Sequence, residues 1–279
     1  MLTAQTGWQR AMRNSTVRTT GAVLLVIVLV SLVGPLFADH AYDRTDLDST
    51  LLAPSLEHPF GTDVLGRDLW ARTLQGSQIT LLVALVASAV SLVIGVLYGA
   101  IAGYVGGRVD AVMMRFVDTL YAMPFIFFVI LLMVAFERNF LLIFVAIGAV
   151  NWLDMARIVR GQTLSIRQRE YVQAAELIGV SKSRIILKHI VPNLIGVVIV
   201  YLTLTIPQAV LVESFLSFLG LGVQEPQTSL GSLVHDGVSH MESAAWILLI
   251  PGTLLAVLLL SFNFLGDALR DVFDARRSS

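Results

Sequence analysis

The chain has 279 residues, of which 56% are hydrophobic and 14% charged, with a mean hydropathy of +0.78 and a formal net charge of −1. Soluble domains carry about 25% charged residues, so this composition excludes an ordinary water-facing globular surface. The absence of cysteine excludes disulfides and thiolate chemistry within the chain.

In chain order, Met1 to Arg18 is a short tail with Arg10, Arg13, Arg18 and no acid. Thr19 to Ala38 is apolar over about the length of a bilayer span. It is long for the apolar region of a cleaved signal peptide, and more spans follow, which predicts an uncleaved anchor. Asp39 to Gln78 is polar and turn-rich, with seven acids. The second predicted span is Ile79 to Tyr104, closed by a Gly106-Gly107-Arg108 turn. The third runs from about Ala111 to Phe136 with Pro124 inside, and Glu137-Arg138 is a minimal turn. Phe140 to Ala156 is the fourth span. Val191 to Val212 is the fifth and Ala244 to Leu265 the sixth, separated by an acidic loop, Glu213 to Ser243, without Lys or Arg. This divides the chain into 1–78 (tail, first span and outer loop), a membrane-spanning core at 79–268 and a tail at 269–279.

Charge segregation orients these spans. The two tails and the segment from Arg157 to Lys188 hold 13 of the 19 Lys and Arg. The positive-inside rule places all three in the cytoplasm and the two acidic loops outside.

The segment 168–193, QREYVQAAELIGVSKSRIILKHIVPN, is a polar island between apolar stretches. Tyr171, Ala174, Ala175 and Ile178 recur at i, i+3, i+4, i+7, which predicts one apolar stripe on a short helix. Gly179 suits a left-handed helix end and Ser181 a cap on a second helix bearing Ile185, Ile186, His189 and Ile190. Pro192 suits the first turn of whatever follows. The small Ala174-Ala175 pair lets another surface approach closely, so the island reads as a docking knob.

Within the spans, Ala87, Ser91, Gly95, Gly99 and Gly103 recur every four residues and predict a small-residue ridge for close helix packing. Arg115 with Asp118, and Asp154 with Arg157, lie a turn apart at span ends. No chain of buried carboxylates marks proton or sodium coupling. Pro207 and Asn263 are the helix-breaking or polar features deep in the last two spans. GVSKS at Gly179 to Ser183 does not match a phosphate-binding loop, and neither a zinc-protease nor a serine-hydrolase signature is present. The five histidines show no zinc spacing. No catalytic site is expected in this chain, so any ATP chemistry belongs to a partner.

The island also carries a resemblance. Ala174, Ala175, Gly179 and Pro192, within EYVQAAELIGVSKSRIILKHIVPN, resemble the EAA motif of permease subunits of binding-protein-dependent ABC importers, in the dipeptide, oligopeptide and nickel group. HPFGTDVLGRDLWAR (His58 to Arg72), ESFLSFLGLGVQEPQTSLGSLV (Glu213 to Val234) and NFLGDALRDVFDAR (Asn263 to Arg276) extend it, most closely to the second permease of the pair. Gln224 to Pro226 and Leu230 depart from the group's pattern in the outer loop. The resemblance implies an all-α, six-helix, type I importer fold of the MetI-like kind with a cytoplasmic coupling helix in an inner membrane. Glu170, Tyr171, Ala174, Ala175, Gly179, Ser181, Arg184, His189 and Pro192 would then meet an ATPase. Asp118, Pro124, Glu213 and Asn263 are candidates for the translocation path or gate, with a solvated rim carboxylate the plainer reading of Glu213. Arg67 and Asp68 read as a loop-ordering ion pair.

Implied partners are a second homologous permease, two ATPase subunits holding ATP and Mg, an external binding protein, the bilayer and a peptide substrate. No nucleic acid, metal or cofactor is expected on this chain. Competing readings are a nickel or other small-solute permease of the same group, an ion-coupled secondary transporter, and a non-transporting scaffold or intramembrane enzyme.

Overall fold

The computed structural model describes residues 11–38, 40–124, 127, 131 and 140–274. Helices α1 (Ser15–Val33), α2 (Leu69–Val105), α3 (Gly107–Ala122), α4 (Phe140–Arg167), α5 (Glu170–Leu177), α6 (Lys182–Ile185), α7 (Val191–Phe218), α8 (Leu230–Val238) and α9 (Trp246–Asp274) follow in order. Among the described residues there is no strand, only an isolated antiparallel bridge between Thr62 and Asp68.

Among the described residues, four stretches are long and apolar enough to cross a bilayer: Ser15–Phe37, Leu69–Val105, Lys182–Phe218 and Trp246–Val272. The first is α1 with a 3-10 turn at Gly34–Phe37, started by the Asn14 side chain accepting from the Thr16 N–H at 2.9 Å. α2 begins well before the predicted span at Ile79, because Asp68 caps it by accepting from the Ala71 N–H at 2.8 Å. Its 37 residues make a rod of roughly 55 Å. That exceeds a hydrocarbon core of about 30 Å, so part of the expected outer loop is helix.

The expected third span is not one helix. α3 stops at Ala122, and Met123 is extended (φ −77°, ψ 131°) ahead of Pro124. Proline disfavours the helical region in the residue before it, so the apolar sequence cannot continue the helix there. The predicted Glu137-Arg138 turn lies outside the described residues.

Two cores order the helices. One joins Ile27 of α1, Ile79, Val83, Ala84 and Ala87 of α2, Ala209, Val210 and Leu216 of α7 and Leu258 of α9. The other joins Val96, Ala100 and Tyr104 of α2, Met155 and Val159 of α4, Val172 and Ala175 of α5, and Ile185, Ile190 and Leu194. The α2 ridge makes the second core possible. A side chain at Gly95 would meet Met155 and the Trp152 carbonyl, one at Gly99 the Ala156 carbonyl oxygen, and one at Gly103 the Arg160 carbonyl. Ser91 is buried on the same face. The ridge therefore seats α4 within the same chain.

Candidate functional site

The elbow after α4 is built on that second core. Arg169 precedes α5 in extended conformation (φ −74°, ψ 142°), and Gly179 turns the chain at φ +80°, a region that favours glycine. The Val180 N–H donates to the Ala175 carbonyl at 3.0 Å and the Gly179 N–H to that of Glu176 at 3.0 Å, which closes the end of α5. Ser181 occupies the next N-cap position, but its side chain makes no capping bond.

Two expectations are refined here. Of the Tyr171-Ala174-Ala175-Ile178 stripe read as the docking face, Ala175 is buried, together with Val172 beside it. Tyr171, Ala174 and Ile178 point outward with Leu177, and Leu177 and Ile178 are 88% and 80% exposed. Val172 sits at i−3 from Ala175, a helical spacing available in the sequence, but the longer stripe beside it dominated the pattern. The second helix is also not separate. It runs through a π turn, Ile186–Ile190, directly into α7, with the Val191 N–H donating five residues back to the Ile186 carbonyl. The wider turn accommodates Pro192, which has no N–H to give. Ile185, Ile186 and Ile190 anchor this turn inward, while Ser181, Arg184 and Pro192 are exposed. The His189 ring lies 6.4 Å from that of Tyr171.

Charge around the elbow divides into ion pairs between helices and charges exposed on the surface. Arg160 grips Asp110 of α3 with a two-pronged contact at 2.5 and 2.6 Å. Arg157 reaches Asp118 at 2.8 Å and lies over the Tyr121 ring at 4.3 Å. The sequence set Asp118 beside Arg115 and Arg157 beside Asp154 along each helix; the structure joins Arg157 to Asp118 across α3 and α4. Arg169, Lys182, Arg184 and Lys188 stay exposed around the apolar face, and Glu170 and Glu176 stand among them. The result is an apolar patch rimmed by positive charge, a surface suited to a partner protein.

The candidate path residues are not brought together. Asp118 and Pro124 are exposed on and just after α3, and the Asn263 side-chain amide bonds back to the Leu259 carbonyl at 2.8 Å. Glu213 is 0% exposed rather than a solvated rim carboxylate. Its oxygens accept from Ser217 at 2.7 Å, Thr80 at 3.2 Å and Ser214 at 3.4 Å. Thr80 in turn accepts from the Leu230 N–H at 3.1 Å, so one carboxylate ties α2, α7 and α8 together.

The two acidic loops meet in a charged lock that the sequence did not reveal. Arg67 does not pair with its neighbour Asp68. It donates to Asp63 at 2.7 Å and to Glu225 at 2.8 Å, and Arg72 also binds Asp63. Asp236 of α8 lies 3.7 Å from Arg72. Burial alone would raise the Asp63 carboxyl, but Arg72 and the Arg67 donors outweigh it and hold it below the usual carboxylate range. Burial raises the Asp236 carboxyl, with Arg72 opposing. α8 itself was expected to be loop; Ser229 and Ser232 form a reciprocal capping box that starts it. Ser at both cap positions was the legible signal.

Comparisons with known proteins bear on this arrangement. The family described as binding-protein-dependent transport system inner membrane component matches residues 95–279, and the N-terminal TM domain of oligopeptide transport permease C matches residues 3–54. The chain is 51% identical over 275 residues to the oligopeptide transport system permease protein OppC of Escherichia coli strain K12, covering 96% of this chain and 91% of that one. The OppC protein of Haemophilus influenzae is 49% identical, with 96% and 88% covered. The dipeptide transport system permease protein DppC of Bacillus subtilis strain 168 is 42% identical, with 98% and 85% covered. Among solved structures, an inward-facing MetNI methionine ABC transporter chain matches with a TM-score of 0.58 and 19% identity, over 71% of this chain and 95% of that one.

Proposed function

Starting from the premise that the chain belongs to the binding-protein-dependent transport system inner membrane component family, we propose that it is one permease subunit of an ATP-driven importer of di- or oligopeptides. It forms half of the pathway beside a second, homologous permease, in an inner membrane. The names of its relatives support the peptide substrate, and the segregation of basic residues supports six spans with both termini in the cytoplasm.

In this reading the elbow 168–193 is the coupling element. Two separate ATPase subunits hold ATP and Mg, and each permease inserts its elbow into one of them. An external binding protein delivers the peptide to the outer loops. ATP drives the cycle only through a difference in how the ATPase pair docks in two states of the permease. The elbow transmits that difference because Val172, Ala175, Ile185 and Ile190 are packed into the same core as α2 and α4, so it moves with the helices and not independently of them.

The exposed face of Tyr171, Ala174, Leu177 and Ile178 is the observation that carries this proposal. The chain has no native cysteine, so a single Leu177→Cys or Ile178→Cys label is unambiguous. In the intact transporter, a short thiol-reactive crosslinker on either position is expected to capture an ATPase subunit, and Leu177→Asp is expected to abolish peptide uptake while the chain still inserts. Crosslinks that never reach an ATPase would overturn the assignment. Uptake that survives ATP depletion and stops when ion gradients are dissipated would favour an ion-coupled carrier instead.

A further inference from the structure

We infer that His40, Glu57 and His58 form a binding site for a borderline divalent transition-metal ion such as Zn2+. Ligand atoms of all three residues lie within 4.8 Å of one another, and the two imidazole ring centroids are 4.9 Å apart. His58 is buried, and its Nδ1 stands 2.8 Å from Oδ2 of Asp68. A carboxylate can only accept, so Nδ1 carries the proton and the lone pair sits on Nε2. A carboxylate behind an imidazole is the arrangement that orients a metal-binding histidine and raises its basicity.

Asp68 is itself fixed, since its Oδ1 accepts from the Ala71 N–H at 2.8 Å. His58 is held from the other side: its N–H donates to Ser55 Oγ at 3.1 Å, and its carbonyl accepts from the Ser55 N–H at 2.8 Å. That turn places Glu57 beside it. One ligand is thus rigid and two are free to adjust, Glu57 being exposed and His40 half-buried.

Donors on a tetrahedral ion with bonds of about 2.1 Å stand roughly 3.4 Å apart. Binding would draw His40 and Glu57 inward by side-chain rotation, toward the fixed His58. Two imidazoles and one carboxylate suit Zn2+, Co2+ or Ni2+ and not Mg2+ or Ca2+, which take oxygen donors. Three protein ligands leave a fourth position for water. The ion would fasten residue 40, just past the 3-10 turn after α1, to the start of α2, and so brace the outer loop. This proposal is independent of the elbow and of the transported solute.

The test uses the full-length chain carrying a tag without histidine, reconstituted in nanodiscs. Equilibrium dialysis against Zn2+ is expected to show one more bound ion per chain than in the double variant His40→Ala/Glu57→Gln, and Co2+ is expected to give the intense visible absorption of a four-coordinate ion. Each single variant, His40→Ala or Glu57→Gln, is expected to bind at least about tenfold more weakly. His58 is left in place because its replacement would open a buried position. His235→Gln, which removes another outer imidazole, is expected to bind as the parent chain does. Equal binding by the parent and the double variant, a loss of the ion in His235→Gln, or the absence of the cobalt absorption would overturn the site.

Discussion

At the scale of single residues, the outer lock shows how a charge survives burial. Asp63 is 2% exposed, yet two guanidinium groups and the Leu65 and Arg67 N–H donors surround it. Its folded pKa lies below the ordinary value of 3.8. A depressed acid contributes stability that is complete above the unfolded value and is lost as pH falls through the folded one. Asp236, raised by burial, works in the opposite direction, its ionisation cost being relieved on acidification. Thermal unfolding of the purified chain in detergent is therefore expected to lose stability below about pH 4. The Asp63→Asn variant should be less stable at neutral pH, with a shallower acid decline; identical pH profiles would contradict the role given to Asp63.

At the scale of elements, the α2 ridge and the elbow share one dependence on small residues. Gly99 faces the Ala156 backbone, and backbone cannot move aside as a flexible side chain can. Gly99→Leu is expected to force α2 and α4 apart and cost about 1–3 kcal/mol or more. Gly161, on α4, has nothing within 4 Å of an added Cβ, so Gly161→Ala is expected to be neutral or to stabilise by up to about 1 kcal/mol. The melting temperature should fall in Gly99→Leu and hold or rise in Gly161→Ala. The elbow was legible in the sequence as two helical pieces around Gly179, because turn residues act locally. Its packed face was not, because Val172 became distinguishable from Tyr171 only once α2 and α4 stood against α5.

At the scale of the whole molecule, the exterior is that of a protein dissolved in lipid. α1 exposes Leu25, Val26, Leu29 and Leu32, α2 exposes Leu82, Leu85 and Val93, and α9 exposes Leu249, Leu260 and Phe264. Such surface is stable only against hydrocarbon or a further subunit. The orientation proposed from charge has a direct measurement. Ser183→Cys on the elbow and Ser243→Cys on the last outer loop are exposed positions in a chain without cysteine. An impermeant maleimide added to intact cells is expected to label the second and not the first; the reverse pattern would invert the molecule and remove the elbow from any cytoplasmic ATPase.

Composition and charge order alone determined that this is a helical membrane protein with a basic elbow and acidic loops, because hydropathy and charge sorting are properties of the chain read along its length. The family resemblance followed from local motifs for the same reason. Tertiary structure decided which side of α5 is covered, and that Arg67, Arg72, Glu225 and Asp236 meet around Asp63. It also decided that Glu213 is an internal tie among helices. Each of these depends on groups far apart in sequence competing for the same space, and no periodicity along the chain records who the neighbour will be.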